Sequence, residues 1–257
     1  MRNRKTGWKI AAVVFAAALI CILLLILTSF RSCNGDNIIS NVFSGVNDSE
    51  DEATTEGNSL PLNPVDFETL RETNEEIYAW LYVPDTIISY PVVQSYSDDS
   101  YYLRRDLYGN YSVGGTLFTQ SMNTRTFRDR NTVIYGHCMS NGTYFYDLHK
   151  FRDPDYFDTH DVFYIYTPGH VLTYRIFAAY EYDSRHILLS FDFSNNAVFE
   201  EYLESCLNPQ TLSRNIREGT ELDVNSKIVT LSTCVQSGAD SQRYLVQGVL
   251  INDEQTQ

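Results

Sequence analysis

The chain has 257 residues, 43% hydrophobic and 20% charged, with 19 Lys and Arg against 33 Asp and Glu for a formal charge of −14. That balance excludes collagen-like and wholly disordered chains, and a nucleic-acid coat, whose affinity for phosphate needs a basic excess. Aromatics are 14% of the chain, including 19 Tyr and 14 Phe, which is material for one packed, β-rich domain with appendages.

The first nine residues form a basic tail with Arg2, Arg4, Lys5 and Lys9. From Ile10 to Leu27 run 18 uncharged residues, mostly Ala, Val, Ile and Leu, extended to Phe30. At 1.5 Å per helical residue this approaches the roughly 30 Å of a bilayer core, and the run is longer than the apolar stretch of a cleaved signal peptide. Residues 10–30 are therefore expected to be a single-pass membrane anchor. The basic flank puts residues 1–9 in the cytoplasm and everything after Arg31 outside the cell. The first 31 residues hold five bases and no acid, so the exported remainder carries 14 basic against 33 acidic residues, or −19. Residues 31–64, rich in Asn, Ser, Asp, Glu, Gly and Thr, read as a flexible stalk ending at Pro61 and Pro64.

The folded domain is expected over 65–257. Phe67, Leu70, Ile77, Tyr78 and Leu81 fit one helical face across Val65–Leu81, with Pro84-Asp85 as the stop. Seven β-branched or alternating runs follow: Ile87–Val93, Gly115–Thr119, Thr132–Tyr135, Val162–Thr167, Val171–Tyr182, Lys227–Ser232 and Tyr244–Ile251. Helical spacing returns at Ala197–Leu207, and a further short helix is expected to carry Tyr144, Leu148 and Phe151. The fold class is mainly β, a closed or nearly closed barrel of about eight strands with peripheral helices, since closure covers strand edges.

Three residues could carry chemistry. Lys227–Cys234 is a strand ending on a thiol, Val235–Gln242 has loop character, and Arg243–Ile251 alternates as a second strand. A hairpin of the two would set Cys234 across from Arg243, a nucleophile beside a fixed cation. Asn131–His137 is another strand, ending on Gly136-His137. Thiol chemistry requires thiolate, which His⁺ or Arg favours; His can protonate a departing amine, and Arg can hold a developing oxyanion. A buried Cys and a structurally hydrogen-bonded His are the plainer readings of the same residues. Ser232 and Tyr135 lie two residues before Cys234 and His137, on the same strand faces, where they pack or line a groove. Cys33, Cys138, Cys206 and Cys234 follow the anchor that holds Cys21; disulfides are permitted outside the membrane, and a free reactive thiol is equally open. His149, His160, His170 and His186 make no compact ligand spacing with the cysteines, and the acidic pairs have no EF-hand pattern, so neither a metal nor another cofactor is expected.

Thr230-Leu-Ser-Thr-Cys234 resembles the TLxTC signature of sortases, Tyr135-Gly-His137 resembles their histidine segment, and Arg243 opens the next strand as their Arg does, in the same order. The resemblance runs over roughly residues 65–251, including Trp80-Leu81, Ser89–Gln94 and Tyr101-Tyr102-Leu103. It is similar to class B in particular, with Ala197–Leu207 as counterpart of the helix before the active-site strand and N-terminal helices ahead of the barrel. No C-terminal apolar segment or Asp-Pro lid suggests the pilin-polymerising class C, and Cys138 departs from the polar residue relatives often carry there.

The resemblance implies a membrane-held cysteine transpeptidase of a Gram-positive cell surface. Cys234 would cleave the Thr-Gly or Thr-Asn bond of a sorting signal through a thioacyl enzyme, His137 would act as acid and base, and Arg243 would position substrate and stabilise the oxyanion. Its partners would be sorting-signal-bearing surface proteins and a peptidoglycan cross-bridge amine or lipid II. The competing readings are a pilin polymerase with a protein Lys as acceptor and a non-catalytic surface binding protein that keeps the barrel. An L,D-transpeptidase would instead set its Cys in a Ser-x-Gly-Cys context.

Overall fold

The computed structural model describes residues 60–234 and 242–257. The expected tail and anchor and most of the stalk lie outside the described residues, as does the segment between Cys234 and Gln242. No described helix is long and apolar enough to cross a membrane.

The domain opens with α1, Phe67–Thr73, much shorter than the helix expected over Val65–Leu81. Asp66 caps its start, accepting from the amides of Glu68 and Thr69 at 3.1 Å. Asn74 ends it in extended backbone, φ −158°. The Asn74 side chain accepts from the Glu76 amide and donates to the Tyr102 hydroxyl and the Leu107 carbonyl, fixing a turn out of the helix. Ile77–Tyr82 then forms strand β1. Its spacing matched a helical face because a strand buried on both sides is continuously apolar, and such a run fits either period.

Strands β2 (Ser89–Val93), β3 (Leu117–Phe118), β4 (Asn131–Tyr135), β5 (Val162–Thr167), β6 (His170–Asp183), β7 (Arg214–Ile216), β8 (Ile228–Cys234) and β9 (Gln242–Gln255) follow. They are hydrogen-bonded in the order β5-β1-β2-β3-β4-β8-β9-β6-β7, and a β5–β6 pairing closes the first eight into a barrel with β7 appended to β6. Pairings β2–β3 and β4–β8 are parallel and the rest antiparallel. The eight-stranded mixed barrel matches the expected fold class. Strands β6 and β9 run 14 residues each, and register shifts at Thr173/Tyr174 and Ile176/Ala178 bend β6 so that it serves β5, β7 and β9.

The barrel is filled from the inward faces by Leu81, Val92, Ile134, Phe163, Tyr174, Val229, Leu231 and Val246. A second apolar cluster lies under α4, Asn196–Leu207, which buries Phe199, Tyr202, Leu203 and Cys206, each worth about 1.5–3 kcal/mol if an ordinary apolar side chain. Short helices α2 (Pro154–Thr159) and α3 (Ile187–Ser190), strand β7 and the 3₁₀ turn Tyr101–Arg104 were not anticipated. The short helix expected around Tyr144–Phe151 is a 3₁₀ helix, Phe145–Arg152, with Tyr144 just before it at φ 57°.

A buried polar lattice ties five elements together behind the site. Asn131 of β4 donates to the Tyr202 hydroxyl of α4 and accepts from Thr230 of β8. Gln247 of β9 donates to Tyr202 and Thr230 and accepts from Tyr180 of β6.

Candidate active site

Strand β8 is central because it pairs with β4 on one side and β9 on the other. Its antiparallel register with β9 sets Cys234 directly opposite Arg243, as the hairpin reading required. Its parallel register with β4 pairs Ser232 with Tyr135, and the Gly136 amide extends that ladder by donating to the Ser232 carbonyl at 3.1 Å. Two residues past Tyr135, beyond the last paired rung, His137 enters the cleft that Cys234 also lines. Gly136 has no room for a side chain: a Cβ there would stand 2.4 Å from Leu117 Cδ2 and 2.7 Å from Phe145 Cδ2.

His137, Cys234 and Arg243, all half-buried, line one cleft of about 240 Å³. The His137 Nε2 lies 3.0 Å from the Leu103 carbonyl, which can only accept, so Nε2 carries the proton and Nδ1 is left as the titrating nitrogen. Burial pushes the His137 pKa below its ordinary value; the Leu103 bond opposes this, while the charges of Arg104 and Arg243 reinforce it. The imidazole at rest is accordingly favoured in its neutral form. Arg243 donates from Nη1 to the Gln242 carbonyl at 3.0 Å, which holds the guanidinium at the head of β9. The Cys234 carbonyl accepts from His149 Nε2 at 3.1 Å.

Ser232 and Tyr135 both line the cleft, together with Leu103, Phe118, Tyr182 and His186. The hydroxyls of Tyr135 and Tyr182 and the Nδ1 of His186 are buried without a hydrogen-bond partner among the described residues, so polar capacity is concentrated in this cleft. Burial pushes the Tyr135 hydroxyl up to about 12, keeping it a donor. His186 Nε2 is held by Gln120 Oε1 at 2.6 Å. A larger surface groove, about 590 Å³ beside Met122, Arg130 and Phe193, has no cysteine or histidine in its walls.

Cys206 is fully buried with its pKa raised by desolvation, Cys234 is half-buried in the cleft, and Cys138 is half-buried past the end of β4 in a bridge to Tyr144. Cys21 and Cys33 lie outside the described residues. The remaining histidines have partners outside any metal-like cluster: His160 stacks on Tyr156 close by in the chain, whereas His170 pairs with Asp253 at 2.6 Å and His149 with the Cys234 carbonyl, both far along the sequence. The Leu103 carbonyl and His149 are the site groups that sequence reasoning missed. Tyr101-Tyr102-Leu103 had a family resemblance, but a backbone carbonyl leaves no signature of its own.

A family model described as a sortase domain matches residues 81–251, more than half of the chain. The curated sortase B of Listeria monocytogenes is 32% identical over 205 residues, covering 79% of this chain and 80% of that protein. Among solved structures, sortase B from B. anthracis superposes with a TM-score of 0.68 at 27% identity, covering 89% of this chain and 99% of that one. A Streptococcus pyogenes class B sortase involved in pilus biogenesis matches with a TM-score of 0.61 at 30% identity, over 73% of this chain and 98% of that one. A thiol, an imidazole and a guanidinium at the adjoining ends of three strands suit acyl transfer, and these similarities agree: the chain belongs to the sortase family, as a class B cysteine transpeptidase.

Proposed function

We propose that Cys234 is the nucleophile, His137 the general acid and base, and Arg243 the group that positions substrate and stabilises the oxyanion. The observation that carries this reading is the register of β8, which pairs Cys234 with Arg243 and leads His137 into the same cleft. In the first half-reaction, Cys234 Sγ adds to the Thr carbonyl carbon of a sorting signal as the thiol proton passes to His137 Nδ1. The Arg243 guanidinium donates to the oxyanion. Collapse breaks the C–N bond to Gly or Asn, the leaving amine takes the proton from His137, and a thioacyl enzyme remains. In the second, an incoming amine gives a proton to His137 and attacks the thioester, an amide forms, and the proton returns to sulfur. A positioned acid–base group of this kind contributes about 10²–10⁴-fold.

The acceptor in this proposal is a peptidoglycan cross-bridge amine, free or on lipid II, and the donors are surface proteins bearing the signal. Residues 10–30 would hold the enzyme in the membrane with residues 1–9 in the cytoplasm and the catalytic domain outside, a reading supported by the uncharged run and its basic flank. The pilus-associated relative keeps a second acceptor in view, a Lys side chain of another protein subunit. Competition decides between them: with a cleavable sorting peptide and equimolar cross-bridge peptide and Lys-bearing pilin-type peptide, the amide product is expected on the cross-bridge amine. Product confined to the Lys peptide would replace the proposal with the polymerase reading.

A further inference from the structure

We infer that the 3₁₀ helix Phe145–Arg152 is a clamp on both reacting strand ends, and that His149 is the positioning residue through which it holds Cys234. This inference rests on the proposed roles of Cys234 and His137. The Phe145 amide donates to the His137 carbonyl at 3.0 Å, and His149 Nε2 lies 3.1 Å from the Cys234 carbonyl. One short helix therefore pins the backbone of the proposed acid–base and the backbone of the proposed nucleophile.

The need for such a clamp follows from the ladder. In the parallel β4–β8 pair, Gly136 donates to the Ser232 carbonyl, and the next rung would run from residue 138 to the Cys234 carbonyl. The chain, past the end of β4 at Tyr135, instead leaves the ladder after the Gly136 rung, Cys138 bridges back to Tyr144, and His149 supplies the donor that the Cys234 carbonyl accepts. A carbonyl can only accept, so His149 bears its proton on Nε2, and its buried Nδ1 has no partner among the described residues. That tautomer requires a neutral ring, and burial, reinforced by the charge of Arg152, lowers the His149 pKa to about 4. The ring packs 4.9 Å from Tyr244, the residue after Arg243, which also carries the Arg152 guanidinium at 4.9 Å. Arg152 is tied in turn to Glu181 at 2.9 Å. The His149 ring is thus held from β9 while it holds β8.

The test compares His149→Gln, whose amide nitrogen keeps a donor at the same reach, with His149→Leu, which keeps bulk and loses the donor. Both are made in the full-length protein and assayed for sorting-peptide cleavage and thermal melting. A clamp predicts that H149L lowers kcat about tenfold or more with KM within twofold, while H149Q stays within about threefold of wild type and both melt cooperatively. Equal loss in the two variants, or wild-type kcat in H149L, overturns the inference. Nitrogen-15 imidazole spectra of the wild type decide the matter even if H149L fails to fold: a proton on Nε2 supports it, and an Nδ1–H tautomer overturns it. A Cys234→Ala control that still cleaves peptide would refute the underlying assignment of the nucleophile instead, which keeps the two failures distinct.

Discussion

Replacing Gln247 with Leu separates what holds the barrel from what does the chemistry. The Gln247 side chain is fully buried and makes three hydrogen bonds: it accepts from Tyr180 at 3.0 Å, and donates to Tyr202 at 3.0 Å and Thr230 at 2.9 Å. In Q247L the Tyr180 hydroxyl keeps only the nearby Cys206 thiol, a weak acceptor, and desolvation without a good partner costs about 1–3 kcal/mol. Tyr202 and Thr230 each retain Asn131, so those two losses are nearer 0.5–1.5 kcal/mol apiece, partly offset by the apolar Leu. The net expectation is about 3 kcal/mol, a fall of roughly 1–1.5 M in the urea midpoint with the slope unchanged. Thr230 lies four residues before Cys234 on β8, roughly 13 Å along the strand, so kcat of the folded variant should stay within twofold. Urea unfolding followed by fluorescence, with peptide cleavage at 25 °C, reads both quantities. A loss below 1 kcal/mol would refute the lattice as a support of the barrel, and a tenfold fall in kcat would refute its separation from the site.

Gly136→Ala should cost about 1–3 kcal/mol and most of the activity, because the new Cβ meets the fully buried Leu117 and Phe145 and the strand can relieve it only by moving His137; melting and cleavage rates check this. Arg243→Ala should lower kcat/KM about 10²–10³-fold without changing the melting temperature, and Arg243→Lys should recover only part of that, since ammonium lacks the forked donor geometry; steady-state kinetics of both variants decide it. Acid should destabilise the fold in a defined window. His149 has a folded pKa near 4 against an ordinary value of 6.5, so the unfolded chain binds its proton first: the stability present above pH 6.5 is lost as pH falls toward 4. His137, also depressed, acts in the same direction. Urea midpoints at pH 7, 5.5 and 4.5 should fall in that order, and less steeply in H149Q.

Most of the barrel was legible because its strands are β-branched and aromatic runs: β5 was expected at its observed limits, and β8 and β9 as a pair whose facing ends are Cys234 and Arg243. Hairpin pairing is local, so this contact could be read from the sequence. Segment Ile77–Leu81 was not, because Ile, Tyr and Leu at those spacings satisfy a helical face and a doubly buried strand alike; the decision lies in the Asn74 side chain, whose partners include Tyr102 and Leu107 far along the chain. Strand β7, Arg-Asn-Ile, is too short and polar to announce itself and exists because β6 offers an edge. Period-two counting set Ser232 and Tyr135 on the faces of Cys234 and His137, and both residues line the cleft. His149 was read only as one of four histidines without metal-ligand spacing; its partner lies 85 residues away, a distance over which sequence pattern carries no signal.

The central claim is that the Cys234 thiol forms an acyl bond with the substrate beside His137 and Arg243. Its most direct test incubates the protein and its Cys234→Ala variant with a panel of quenched fluorescent sorting peptides and examines each by intact mass spectrometry after acid quench. Cleavage by the wild type, with a mass increase equal to the N-terminal peptide fragment mapping to Cys234 and both signals abolished in C234A, is the predicted result. Cleavage that persists in C234A, or an adduct mapping to Cys138, would contradict the account.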